Sequence, residues 1–250
     1  MLLDREKVTR AFDQYVSDYN ADDPKIRLKI DHTYRVAALC EQIGQAVPVG
    51  DTDLVWLCGM LHDIGRFEQV RRYNTFVDAV SVEHAAFGAD LLFNEGLLNR
   101  FCTGLSETEQ RILECSIRNH SAYRLSPDLS ETEITYSNVL RDADKIDIFR
   151  VNCDTPLEEI YNVTTEDLKN SFVSEEVKEC FRNRTAVLRK LKKTPIDYVV
   201  AHLCLVFELV YPISRVIARK QGYADRMLSF ESDNPDTAEG FAMMRSTIWE

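Results

Sequence analysis

The chain has 250 residues, with 41 acidic and 30 basic side chains and a net charge of −11. At that length folding removes roughly 70–75% of the unfolded surface from water, so one substantial core can form. The acidic balance sets the protein against a nucleic-acid duplex, whose phosphates would repel it unless a local basic patch intervened. A small anionic ligand would need a positive site inside an acidic molecule, and metal ions can supply one. With only 9 Gly and 7 Pro, a turn-rich β fold is disfavoured and helices are expected.

The seven cysteines, Cys40, Cys58, Cys102, Cys115, Cys153, Cys180 and Cys204, form no C-x-x-C pair, and most sit in apolar runs. They read as reduced thiols of a cytoplasmic protein rather than a disulfide framework. The segment Met1–Lys7 turns charged at once and has no apolar leader core. The most apolar stretch, Tyr198–Ile217, contains His202, Glu208, Pro212 and Arg215, so it reads as buried helix and not as a membrane span.

In chain order, the periodicity predicts a first helix from Asp4 to about Tyr19, a turn at Asn20–Pro24, and a second helix to about Ala46. Asp51 or Thr52 caps a third, which ends near Gly65. Residues Arg66–Val80 are expected as a loop, followed by helices at Val82–Asn94, Glu107–Asn119 and Glu131–Arg150. Downstream come helices at Thr165–Asn170, Glu175–Leu191, Pro195–Lys220 and Asp236–Ser246. No linker divides the chain. The expectation is one domain over residues 1–250, with a chemistry-bearing core at about 25–150 and a helical extension over 151–250.

The chain has only five histidines, so their placement is informative. His32 shares a helical face with Val36, Cys40 and Ile43; His62 follows Leu54, Cys58 and Leu61 on an apolar stripe. His84 shares a face with Gly88 and Leu91, and His120 follows Leu113 and Ser116 or Ile117. His202, among Val199, Leu205 and Val206, reads as a hydrogen-bonded core residue. Asp144 lies one turn from both Leu140 and Ile148. A carboxylate on such a stripe is costly unless paired or bound to a metal. Asp142, about 200° round the helix, is expected to face solvent, and Asp147 is a weaker rival. His62-Asp63 stands at a helix end, where both side chains can converge. Four His and two Asp at inward or helix-end positions of separate helices suit a metal site built inside a helical bundle.

The series H…HD…H…H…D, with its doublet in His62-Asp63-Ile64-Gly65-Arg66, resembles the HD-domain superfamily of metal-dependent phosphohydrolases. His32-Thr33-Tyr34-Arg35-Val36, Glu83-His84, Arg118-Asn119-His120 and Arg141-Asp142-Ala143-Asp144-Lys145-Ile146-Asp147 resemble its flanking motifs. The resemblance covers about residues 25–150 and implies an all-α HD-domain helical bundle. It also implies that His32, His62, Asp63 and Asp144 hold one metal. Asp63 would bridge to a second held by His84 and His120. The imidazole–carboxylate set suits iron or manganese, with zinc, nickel or cobalt as further options.

Such a pair would activate water for in-line attack on phosphorus. Arg66 stands where the family often has Lys and is a phosphate contact by resemblance, as is Lys145. Arg35 and Arg118 are weaker candidates that read equally well as surface ion pairs. The resemblance gives Asp63, Arg66 and Lys145 as catalytic residues, and as substrate a small anionic phosphorylated compound: a nucleotide, cyclic nucleotide or phosphomonoester. Neither a nucleic-acid duplex nor a membrane is an expected partner. The Gly-Tyr-Pro motif of relatives that cleave cyclic-di-GMP is absent. Two alternatives carry the same ligands: a mixed-valent di-iron oxygenase and a non-catalytic regulatory module.

Overall fold

The computed structural model describes residues 3–20 and 22–250. It is all-α, and no strand occurs among the described residues. Two compact units divide the chain, Met1–Asp144 and Lys145–Glu250. No helix among the described residues is long and apolar enough to cross a membrane.

The first unit opens with α1 (Arg5–Val16), whose N-cap Asp4 accepts from the Lys7 N–H. The expected turn after it includes Ala21, which lies outside the described residues, as do Met1 and Leu2 of the N-terminal segment. Helix α2 (Pro24–Gly44) is capped by Asp23 and opened by Pro24, whose missing N–H costs nothing at that position. Asp51 caps α3 (Thr52–Leu61), a helix almost wholly buried from Leu54 onward. Helices α2 and α3 pack closely because Gly59 has no Cβ. One there would lie 2.6 Å from the Ala37 Cα.

The expected loop from Arg66 is corrected. After the junction at His62-Asp63 a new helix, α4, runs Ile64–Tyr73 and ends on Asn74 in the left-handed conformation (φ 52°). Gly65 is therefore no helix stop. It is a contact point: a Cβ there would come within 2.8 Å of the Gly88 N. That close approach brings the start of α4 against α5 (His84–Ala89), which continues through a π-helical turn at Asp90–Asn94. A short helix α6 (Leu98–Phe101) precedes α7 (Glu107–Asn119), which a reciprocal Ser106/Glu109 capping box starts. Helix α8 (Glu131–Asp154) carries Asp144.

Asp142 is also corrected. It is fully buried, as are Ala143 and Ile146, whereas the Asp144 side chain keeps 16% exposure. Most of the circumference of α8 in that stretch is covered, so position around the helix does not separate buried from solvated carboxylates. Asp142 and Asp147 both have partners within the protein.

The second unit contains α9 (Leu157–Tyr161), α10 (Thr165–Asn170), α11 (Glu175–Arg182), α12 (Pro195–Leu203), α13 (Pro212–Gln221), α14 (Tyr223–Leu228) and α15 (Pro235–Thr247). Two expected long helices are broken. The one from Glu175 stops at Arg182, and the one from Pro195 gives way to a 3₁₀ turn at Cys204–Glu208 before Pro212 restarts it. Pro212 has no N–H to continue the ladder, so the break falls just before it. Helices α9 and α14 were not anticipated by periodicity; each is under two turns long. All seven cysteines are free thiols.

Candidate metal centre

Five helices of the first unit deliver the six predicted ligand residues to one place. His32 projects from α2, His62 follows the last turn of α3, and Asp63 occupies the junction into α4. His84 is the first residue of α5, His120 follows the last turn of α7, and Asp144 comes from α8. His32, His62, Asp63, His84 and His120 are all buried.

The geometry separates into two halves that share Asp63. In the first, the His32 Nε2 lies 3.1 Å from Asp144 Oδ1 and 3.3 Å from the His62 Nε2. In the second, the His84 and His120 Nε2 atoms are 3.0 Å apart. Asp63 Oδ2 stands 3.6 Å from both His32 and His62. Its other oxygen, Oδ1, stands 3.6 Å from His84 and 3.8 Å from His120. Asp63 is also the N-cap residue of α4, yet its carboxylate makes no cap hydrogen bond. Both of its oxygens are turned to the imidazoles instead.

The outer ring nitrogens fix which lone pairs point inward. The His62 Nδ1–H donates to the Gly59 carbonyl at 2.8 Å, and the His120 Nδ1–H to the Ile117 carbonyl at 2.7 Å. The His84 Nδ1–H donates to Asp78 Oδ2 at 2.7 Å. Those bonds place the proton on Nδ1 and leave Nε2 as an open donor atom. Burial lowers the pKa of His62 against the pull of Asp63 and Asp144. Burial, with His84 and His62 nearby, lowers His120 to about 3. Two Nε2 atoms facing each other at 3.0 Å are spaced to share one cation, so the donor set fits metal ions.

Charge at the carboxylates points the same way. Burial pushes Asp63 up, but Lys29, His62, His84 and Arg66 outweigh it and hold the carboxyl well below its usual range. Asp144 is likewise held low against burial, by the His32 hydrogen bond and the neighbouring imidazoles. Three groups of residues have donor atoms close enough together to hold a metal: His32/His62/Asp144, His62/Asp63/His120 and Asp78/Glu83/His84. The third is already occupied by other bonds. Asp78 accepts from Arg66 and Gln69 as well as His84, and Glu83 caps α5 through the Ala85 and Ala86 N–H groups. Asp78 there orients the His84 ring.

Three neighbours escaped the sequence reading: Lys29, Gln69 and Asp78. Lys29 Nζ is 2.6 Å from Asp63 Oδ2. It precedes His32 by three positions, one helical turn, and that spacing was a usable signal. Gln69 and Asp78 fall in the segment read as loop. Arg66 is held through one terminal nitrogen by Gln69, the Phe76 carbonyl and Asp78, at 2.7–2.8 Å. Its Nε, 3.8 Å from Asp63 Oδ1, is buried and has no hydrogen-bond partner. Lys145 is buried on α8, one residue past Asp144. Arg118 pairs with Asp90 and Glu114 at 2.9 and 2.8 Å, as a surface ion pair would. From α8, Arg141 donates to the Asn119, His120 and Ala122 carbonyls at the end of α7 and so fixes the backbone that presents His120.

An all-helical unit that gathers imidazoles and carboxylates from five helices defines a class of metal-binding helical domain. Residues 30–148 match the model of the HD-domain family. No curated protein and no solved structure matches the chain.

Proposed function

We propose that the protein is a metal-dependent phosphohydrolase that cleaves a phosphoester in a small phosphorylated compound, with two divalent ions as cofactor. The two oxygens of Asp63, each turned to a different pair of imidazoles, carry this reading. His32, His62, Asp63 and Asp144 would hold one ion; Asp63, His84 and His120 would hold the other. Four imidazoles with two carboxylates suit iron or manganese. When bound, the ions supply Lewis-acid chemistry and lower the pKa of water.

The chain's own residues do the rest. His62 and His120 stay neutral at working pH and keep Nε2 directed inward. Asp78 holds the His84 proton on Nδ1. Arg66 presents its unpartnered Nε beside Asp63, where it can donate to a phosphoryl oxygen. Lys145 is the second phosphate-binding candidate, from the HD-family resemblance of its segment.

Metal content after purification, combined with a panel of nucleotides and phosphomonoesters, tests the reading. Phosphate release with Mn²⁺, abolished by Asp63→Ala in a folded protein, is the expected result. Tight retention of two irons with oxygen uptake on substrate addition would overturn hydrolysis in favour of an oxygenase. Absence of any metal uptake would leave a regulatory module.

A further inference from the structure

Lys29 has no role in the metal reading, yet its ammonium makes the shortest polar contact of Asp63, at 2.6 Å to Oδ2. Its side chain keeps only 17% exposure. A lysine carries three N–H donors, and Asp63 takes one. The Phe76 ring lies 5.8 Å from Lys29 Nζ and 5.8 Å from the Arg66 guanidinium, so the two cations that border Asp63 share one aromatic neighbour. The Arg66 Nε beside the same carboxylate is buried and has no hydrogen-bond partner.

Charge counting gives Lys29 a task. The buried Asp63 carboxylate needs a counter-ion, and Lys29 is its nearest one. Two divalent ions would bring four positive charges against the two carboxylates Asp63 and Asp144. Asp63 is then over-compensated, and an ammonium 2.6 Å from its oxygen is repelled by those ions. The favourable way to restore balance is an anion that both the ions and the released lysine can reach.

We propose that Lys29 is an exchanging counter-ion: it neutralises Asp63 in the metal-free protein and turns to the phosphoryl group of the substrate once the metals are bound. The proposal rests on the reading above that Asp63 binds metal. Its ligand is a tetrahedral phosphoryl oxyanion, met as the ester before cleavage and as free phosphate after it. Lys29 and Arg66 Nε would approach that group beside Phe76. The residue also gives binding an order, because the anion receptor forms only after metal loading.

The test uses the full chain, Mn²⁺ and inorganic phosphate. Calorimetry on the Mn²⁺-loaded protein should show Lys29→Gln weakening phosphate binding at least about tenfold, with Lys29→Arg close to wild type. Manganese content should be unchanged or higher in Lys29→Gln, since a competing cation has gone. A second measurement needs no variant. Mass-spectrometric acetylation of the wild-type protein should find Lys29 protected without metal, reactive with Mn²⁺, and protected again when phosphate is added.

Equal phosphate affinity in wild type and Lys29→Gln, both loaded, would overturn the proposal and leave the metal reading intact. So would Lys29 staying unreactive on loading, or staying reactive with phosphate present. Loss of manganese from Lys29→Gln alone would make Lys29 a support of the metal site and equally overturn it. Failure of the wild-type protein to take up manganese would remove both readings together.

Discussion

Asp63 is the residue that the two halves of the candidate site share. It faces four imidazoles, Lys29 and Arg66 at once, so Asp63→Ala should eliminate metal retention as well as activity, read by elemental analysis of the purified variant. Asp78 acts through His84. Asp78→Asn keeps the shape but loses the charge that orients the ring, and should weaken Mn²⁺ binding about 10–100-fold by calorimetry. His202 offers a separate test in the second unit. Its Nδ1 lies 2.9 Å from the Tyr161 hydroxyl and 3.0 Å from Asn152 Oδ1, as befits the hydrogen-bonded core residue expected there. Some of its surface meets solvent, but its ring is desolvated, which lowers its pKa to about 4, with the Lys192 charge adding to the effect. The unfolded chain binds a proton near pH 6.5, so protons favour unfolding below that pH. Stability from this group is complete above pH 6.5 and is lost as pH falls toward 4. Between pH 7 and pH 5 it should amount to about 2 kcal/mol of urea-unfolding free energy, a difference that His202→Leu should remove.

The six residues read as ligands converge because burial on one helix face repeats every three or four residues, which the spacing makes legible. Asp78 could not be found that way. It lies in an irregular segment and reaches His84 through a turn, which no period encodes. Asp142 misled for the opposite reason: its helix is covered nearly all round, so periodicity loses its meaning.

Among the elements, the least legible was α4. Gly65 reads as a helix stop, but its hydrogen side is needed for contact with Gly88, and the true stop is Asn74. Gly65→Ala would force a methyl group into the α5 backbone. A cost of about 3 kcal/mol is expected, the upper end of overpacking effects, and chemical denaturation of the metal-free protein measures it. The second unit has its own keystone. Asp197, fully buried at the start of α12, accepts from the Ser174 N–H and hydroxyl and from the Lys193 and Thr194 N–H groups, all at 2.8–3.0 Å. Asp197→Ala strands those donors and should cost roughly 3 kcal/mol of stability, seen as a lower denaturant midpoint.

At the scale of the molecule, a net charge of −11 and a centre built for cations make stability depend on what is bound. A metal present at a thousand times its dissociation constant adds about 4 kcal/mol to a fold that binds it only when native. A chelator should therefore lower the melting temperature by several degrees, and Mn²⁺ should restore it. The HD family was legible over its own span because a few irreplaceable donor atoms mark it. Residues 151–250 carry no such motif, and their broken helices follow from packing rather than from pattern.

The contact between Gly65 and Gly88 has one more consequence. His32 and Asp144 stand on helices of 21 and 24 residues, whereas His84 opens a helix of 6 that runs on only through a 5-residue π-helical turn. The position of that short helix depends on two bare backbones touching. The two halves of the centre should then differ in tenacity. If two ions bind as proposed, the one beside His84 and His120 should leave first as chelator is raised, and the protein should pass through a half-emptied state before the other is surrendered.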